Sequence, residues 1–471
     1  MRRAAAFMLL FLLALGALGG ASAYLTRDAC DLRGELLLGD RADAAGVAVR
    51  ERTVLSGHMA WSAQYSAGDA AVSAQNAWTI SDAAAAPSPA PGLGTYSEPF
   101  GASWEIRGEE DVPGGTAGEI YAALTDLGVE SAVFSLDSFP DRVPLPLTST
   151  NCLDAAAETA MREALAGRFR VPAADGMDVI ASCVDLGRYC RFSIRPADST
   201  VMAFRVYADS VYAPDGYLYF TLDAAMDGER PDGSLLPGGG WGVWRVQCTP
   251  APGTDTSAPG WWNEDVRAVP DMATLEAVFT PGQDWDGASL GLSGDGEYVL
   301  LTTRESDGIW LSVLDAASGA RLRRSVLFPA GSGADELPSC SSGPGWAVFR
   351  SGDLAAALTQ SGPDFTEALR TETGYSALYA PFSRLGGHVL PNAEAGCAYH
   401  GGRVWLLRQF TITGESAKDY RRVCVLTAYD SGGMCYAELI TDPATSYYGR
   451  ENHAAELSSD WSLAITGDEE Q

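Results

Sequence analysis

Two stretches of this chain, residues 285–328 and 397–440, follow one grammar. Each holds four strand candidates, turns rich in Asp and Gly, and at least one Trp within about forty-four residues. In the first, ASLGLSG, EYVLLTTR, IWLSVLD and RLRRSVLF are separated by Gly294-Asp295-Gly296, Ser306-Asp307-Gly308 and a turn from Asp315 to Gly319. Strand, Asp/Gly turn, strand is the pattern of antiparallel hairpins. A four-stranded unit of this length has the size of one propeller blade.

Extended across residues 96–471, the pattern predicts an all-β fold. The expected form is an irregular β-propeller, with six to eight blades counted and seven preferred, carrying helical inserts. Two β-sandwich domains divided around residues 249–270 are the alternative. The lone strand WSLAITG at 461–467 would close a ring by joining a blade begun at the other end of the chain. Helices are expected at 116–127, at 152–167 and near Leu354–Leu358. In the 152–167 segment, Ala, Met, Glu and Leu favour helix and Gly167 suits its end. Ahead of this domain, residues 26–80 read as a small membrane-proximal β-region and 81–95 as a Pro/Ala/Ser-rich loop or linker.

Residues 1–25 begin Met1-Arg2-Arg3 and continue as an apolar run. That is a targeting segment with two outcomes. Ala21-Ser22-Ala23 offers a signal-peptidase site, and the run is also long enough to serve as a transmembrane anchor. Either outcome exports residues 26–471, to the outer face of the membrane or beyond it. The formal charge of −29 argues against nucleic acid as a partner, because phosphate backbones are bound by Lys/Arg surfaces. Lys418 is the single lysine.

Nine cysteines leave one over if all others pair. Cys183 and Cys190 form the best local pair, in a hairpin centred on Leu186-Gly187 that would set them opposite one another. A non-hydrogen-bonded antiparallel pair places Cα atoms roughly 4.5 Å apart, within disulfide reach. Two free thiols on one β-face are the competing reading. Cys424 and Cys435 flank a second hairpin whose turn is not centred between them.

The segment IWLSVLDAASGARLRR resembles a strand turn found in many bacterial propellers, where Asp and Gly bracket the turn. With its leader and Trp-rich β-domain, the chain resembles exported or membrane-anchored bacterial β-propeller-like proteins, among them surface proteins of high-GC gut Firmicutes. That resemblance covers one or two blades and implies no catalytic residue.

No nucleophile elbow, zinc-protease helix, P-loop or dinucleotide fingerprint is present, and no cofactor or metal is implied. The Asp-rich turns do not follow the twelve-residue calcium loop. Trp261 and Trp262 follow a polar loop, and adjacent strand residues point to opposite faces, so one ring is expected at a binding surface. Trp241 and Trp244 are expected to fill space in the core. The chain is therefore read as an exported binding scaffold for a protein or glycan, with an extracytoplasmic hydrolase using a carboxylate pair as the alternative.

Overall fold

The computed structural model describes residues 11, 13–20, 32–55, 59–78, 93–94, 102–135, 143–144, 148–149, 170–171, 178–197, 205–207, 209–225, 242–249, 269–279, 285–378, 388–413, 420–441 and 457–465. They form six antiparallel sheets of four or five strands and two two-stranded ribbons. The chain divides into two compact units. One comprises residues 1–87, 293–295 and 331–471, and the other 88–292 and 296–330.

The first unit contains three of the larger sheets. Sheet 1 runs Leu457–Ile465, Val47–Leu55, Met59–Ser66, Ala71–Trp78. Sheet 5 runs Ser339–Gly343, Trp346–Ser351, Leu354–Ser361, Asp364–Glu372. Sheet 6 runs Arg33–Leu38, Gly433–Thr441, Tyr420–Asp430, Arg403–Thr413, His388–His400. The ends of the chain are exchanged: the last strand pairs along the whole of Val47–Leu55, and Arg33–Leu38 pairs with Gly433–Thr441.

Sheet 6 is covered on both faces. Val404 and Leu406 meet Val348, Ala355 and Ala357 of sheet 5. Trp405 and Leu407, on the opposite face, meet Val47, Val49 and Tyr65 of sheet 1. That explains the unbroken apolar run VWLL: a strand buried on both sides loses the alternation of a half-exposed one.

In the second unit, sheet 2 runs Ala102–Ile106, Cys190–Pro196, Asp178–Asp185, Ser131–Ser135. Helix α1, Gly115–Leu127, lays Ile120 and Leu124 on Val179, Ala181 and Phe192 of this sheet. Gly128 ends the helix with φ 63°, a left-handed conformation that costs glycine little. Sheet 3 (Arg205–Tyr207 and Ser210–Tyr212, then Tyr217–Ala225, Gly242–Thr249, Val269–Phe279) packs on sheet 4 (Trp285–Leu292, Tyr298–Glu305, Gly308–Asp315, Arg321–Pro329). The Asp209 carboxylate accepts from Leu290 N at 2.7 Å, and Arg245 Nη1 donates to Ala317 O at 2.7 Å, joining the two sheets with polar contacts.

These observations correct the seven-bladed propeller. Six sheets are present among the described residues, no sheet closes on itself, and they belong to two units. The arrangement fits two discrete sandwich-like β-domains better than one closed ring. The two units do not divide around 249–270, since those residues all lie in the second. The repeat length reports one four-stranded sheet correctly. It carries no information on how many sheets share a core.

No helix among the described residues is long and apolar enough to cross a membrane. Residues 1–10, 12 and 21–31 of the leader lie outside the described residues. Leu354–Leu358 is strand, not helix. Ala355, Ala356 and Ala357 are fully buried between neighbours on both faces, and tertiary packing overrides their helix propensity. Residues 152–167 lie outside the described residues.

A disulfide joins Cys183 and Cys190, with Cα atoms 6.2 Å apart. The hairpin register differs from the expected one. Asp185 faces Cys190 and Cys183 faces Phe192, so the bridge runs diagonally on one face. Gly187, at φ 76°, moves the turn by one residue. Cys424 faces Ile440, and both Cys424 and Cys435 are free thiols.

Candidate functional site

Charged side chains interrupt the apolar strands of the first unit at a few points, and two clusters result. The first is built on Glu438, in the otherwise apolar strand Gly433–Thr441, where it is 0 % exposed. Its Oε1 accepts from Arg41 Nη2 at 2.7 Å and from the Tyr65 hydroxyl at 2.5 Å, and its Oε2 accepts from the Tyr436 hydroxyl at 2.6 Å. Burial, reinforced by the carboxylate acceptor, raises both phenols well above the usual tyrosine value. Arg41 Nη2 also donates to Gly34 O at 3.0 Å. Both carboxylate oxygens are therefore occupied and away from solvent. This cluster holds Arg33–Leu38 and the 3-10 turn Arg41–Ala44 against sheets 1 and 6, and offers no group to a substrate.

The second cluster lies where sheet 5 meets sheet 6 and reaches solvent. Glu394 is on His388–His400, the edge strand of sheet 6. The pairing of this strand shifts register between Pro391 and Ala393 and again between Glu394 and Gly396. Bulges of this kind re-aim side chains and recur beside functional sites. Glu394 stands opposite Arg408 in register, yet its carboxylate forms an ion pair with Arg350 of the facing sheet.

Arg408 is 8 % exposed. Its Nη1 donates to the Tyr429 hydroxyl at 2.8 Å and its Nη2 to Thr373 O at 2.7 Å. The rings of Tyr375 and Tyr429 each lie 5.8 Å from its Cζ, within cation–π range. Arg350 Nη2 donates to Gly352 O at 3.3 Å, while its Nε is buried with no hydrogen-bond partner. Burial first, and then the Arg408 guanidinium, weaken the hold of Arg350 on its proton, while Cys397, Tyr429 and Asp353 oppose them. Two guanidiniums thus face one directly paired carboxylate.

Cys397, from the same edge strand, completes the group. Burial pushes its thiol up to about 12, against the pull of Arg350 and Arg408. At neutral pH it is a thiol hydrogen-bonded to Ser341, not a nucleophilic thiolate.

Of the residues singled out in the sequence, those that the structure describes do not enter either cluster. Trp261 and Trp262 lie outside the described residues, as does Trp241. Trp244 is buried in the core between sheets 3 and 4. The turn aspartates serve their own turns: Asp307 accepts from Trp310 Nε1 at 2.7 Å, and Asp315 from Ser318 N at 2.7 Å. No group of three or more His, Cys, Asp or Glu placed to hold a metal occurs among the described residues. Sequence reasoning missed Arg350, Arg408 and Glu438. Their signal is a charge inside WAVFRS, VWLLRQF and MCYAELI. Glu394, at the middle of the edge strand His388–His400, stands in the mixed segment PNAEAG and carries no such signal.

No family model matches the chain, and no curated protein matches it. Solved structures give distant likenesses to β-rich proteins. The periplasmic gluconolactonase of Pseudomonas aeruginosa is 13% identical with a TM-score of 0.29, over 89% of this chain and 99% of that one. A GH43 glycoside hydrolase is 10% identical at 0.25, over 57% of this chain and 51% of that one. TolB from Acinetobacter baumannii is 9% identical at 0.23, over 86% and 79%. Scores and identities this low establish neither a shared fold nor a function.

Proposed function

We propose that this chain is an extracytoplasmic hydrolase and that Glu394 is its reacting carboxylate. The observation that carries the reading is Glu394 itself: a partly exposed acid, set between two register shifts, in an ion pair with Arg350 beside a second guanidinium. The other acid in the clusters, Glu438, has both oxygens occupied and no access to solvent. Arg350 holds the Glu394 carboxylate in one orientation and favours its ionised form. An ionised carboxylate at a solvent-facing edge can take a proton from a water as that water attacks a substrate. The bond to the leaving group then breaks, and the leaving oxygen takes the proton that Glu394 received, which returns the carboxylate to its ionised form. An extracytoplasmic setting is supported by the Met1-Arg2-Arg3 leader and by the Cys183–Cys190 disulfide, which suits an oxidising compartment.

The test is hydrolysis of a panel of esters, lactones and glycosides by the purified chain and by its Glu394→Gln variant. A general base contributes about 10²–10⁴-fold, so the variant should lose at least about a hundredfold in kcat/KM with its unfolding midpoint little changed. Turnover of no member of the panel, or equal turnover by the variant, overturns the reading.

A further inference from the structure

The charge at the Glu394 site does not balance. The Arg408 guanidinium disfavours the charge on Arg350, and Glu394 forms its ion pair with Arg350. The next nearest acid, Asp353, acts on Arg350 through its field; its side chain is exposed and forms no ion pair with either arginine. Leaving a cation uncompensated in a protein interior is strongly destabilising. The chain has formal charge −29, yet among the described residues no acid is in direct contact with Arg408. A second observation points the same way. Among the described residues Arg350 Nε is buried without an acceptor, and a buried donor left unmet is costly. Both deficits, one of negative charge and one of an acceptor, would be met by the same kind of group.

We propose that the substrate of this site is an anion, whose carboxylate is received between Arg350 and Arg408. This rests on the hydrolase reading for the reaction, but not for the binding. A carboxylate has two acceptor oxygens in a plane and matches the guanidinium fork. Arg408 Nη1 donates to Tyr429 and Nη2 to Thr373 O, so its guanidinium is oriented before ligand arrives. Glu394, on the exposed side, is left to face the reacting part of the same molecule. The uncompensated charge then selects: a neutral analogue of equal shape gains nothing from Arg408.

The test uses the whole exported chain and two probes of one shape, glucuronate and glucose, with inorganic phosphate as a third. Calorimetric titration should show glucuronate binding at least about tenfold more tightly than glucose, and the preference should shrink as salt rises. Arg408→Met should abolish the preference. Because Arg408 also anchors Thr373 and Tyr429, Arg350→Lys is measured alongside it. That variant keeps the charge but loses the Nε donor and the fork, and should weaken glucuronate by about tenfold without changing the response to glucose. Equal binding of glucuronate and glucose to the wild-type chain overturns the proposal, and so does phosphate binding with no carboxylate binding. The two readings fail separately. Glucuronate binding that survives Glu394→Gln, with no substrate hydrolysed, removes the hydrolase and leaves the anion site. Hydrolysis of neutral and acidic substrates at equal rates does the reverse.

Discussion

Glu438 shows how a single residue can join distant parts of the chain. It brings together Arg41, Tyr65 and Tyr436, and the space around it is tight: a Cβ on Gly34 would fall 2.5 Å from Glu438 Oε1 and even closer to the Tyr65 hydroxyl. Glycine at 34 is therefore a demand of packing, not of backbone conformation. Replacing Glu438 with Ala leaves two buried phenols without acceptors and Arg41 without its anion. The loss should be about 3 kcal/mol, because breaking one side of a buried ion pair costs about 3–5 and Arg41 retains partial access to water. Urea unfolding of the variant measures it, and a loss under about 1 kcal/mol would show that the cluster does not hold the strands. Some of this was open to reading. A Glu in the middle of MCYAELI is an acid where an apolar residue is expected, and such an acid must be paired. Its partners were not readable, since Tyr65 is 373 positions away.

At the scale of the element, strands and turns were legible and their neighbours less so. The hairpins of sheets 4 and 6 follow from Asp/Gly turns with apolar flanks, and the helix at Gly115–Leu127 starts within one residue of its expected position. The strand Leu354–Ser361 was misread because alanine favours helix when nothing else decides. Here burial decides: Ala355, Ala356 and Ala357 are all fully buried, and Ala355 and Ala357 pack with Val404 and Leu406 of sheet 6. Ala356→Leu should accordingly destabilise the fold by about 1–3 kcal/mol, the cost of overfilling a close-packed core. Ala356→Ser, of nearly conserved volume, should cost less. If leucine were tolerated as well as serine in thermal unfolding, the packing account of this strand would be wrong. The cysteine hairpin carries a similar lesson. Cys183 and Cys190 share a face in either register, so spacing alone could not distinguish a directly opposed pair from the diagonal one.

For the whole molecule, the pattern of buried ionisable groups predicts how stability depends on pH. Tyr65 and Tyr436 in the first unit, and Tyr212 and Tyr219 in the second, all have pKa values raised above the ordinary 10.0, in each case chiefly by burial. Cys397 rises from 9.0 to about 12, and Cys424 is raised as well. Each group keeps its proton in the folded chain at a pH where the unfolded chain has already lost it. The unfolded state then binds fewer protons, so stability must fall as pH increases. The contribution is fully present below about pH 9 and is lost progressively from there through pH 12. Two features make the prediction clean. Lys418 is the only lysine, so titration in that window is confined almost wholly to tyrosines and cysteines, and the carboxylates behind the −29 charge are already ionised below it. The urea midpoint should hold nearly level from roughly pH 7 to pH 9 and then drop, at up to about 1.4 kcal/mol per pH unit for each raised group. Four of these six groups belong to the first unit, so it should unfold at lower pH than the second, with loss of the Trp405 environment as its fluorescence signal. The Tyr65→Phe, Tyr436→Phe double variant removes two of the titrations and should flatten the fall while lowering stability at neutral pH. A midpoint that fell in parallel for wild type and variant would place the alkaline sensitivity elsewhere than in the phenols around Glu438.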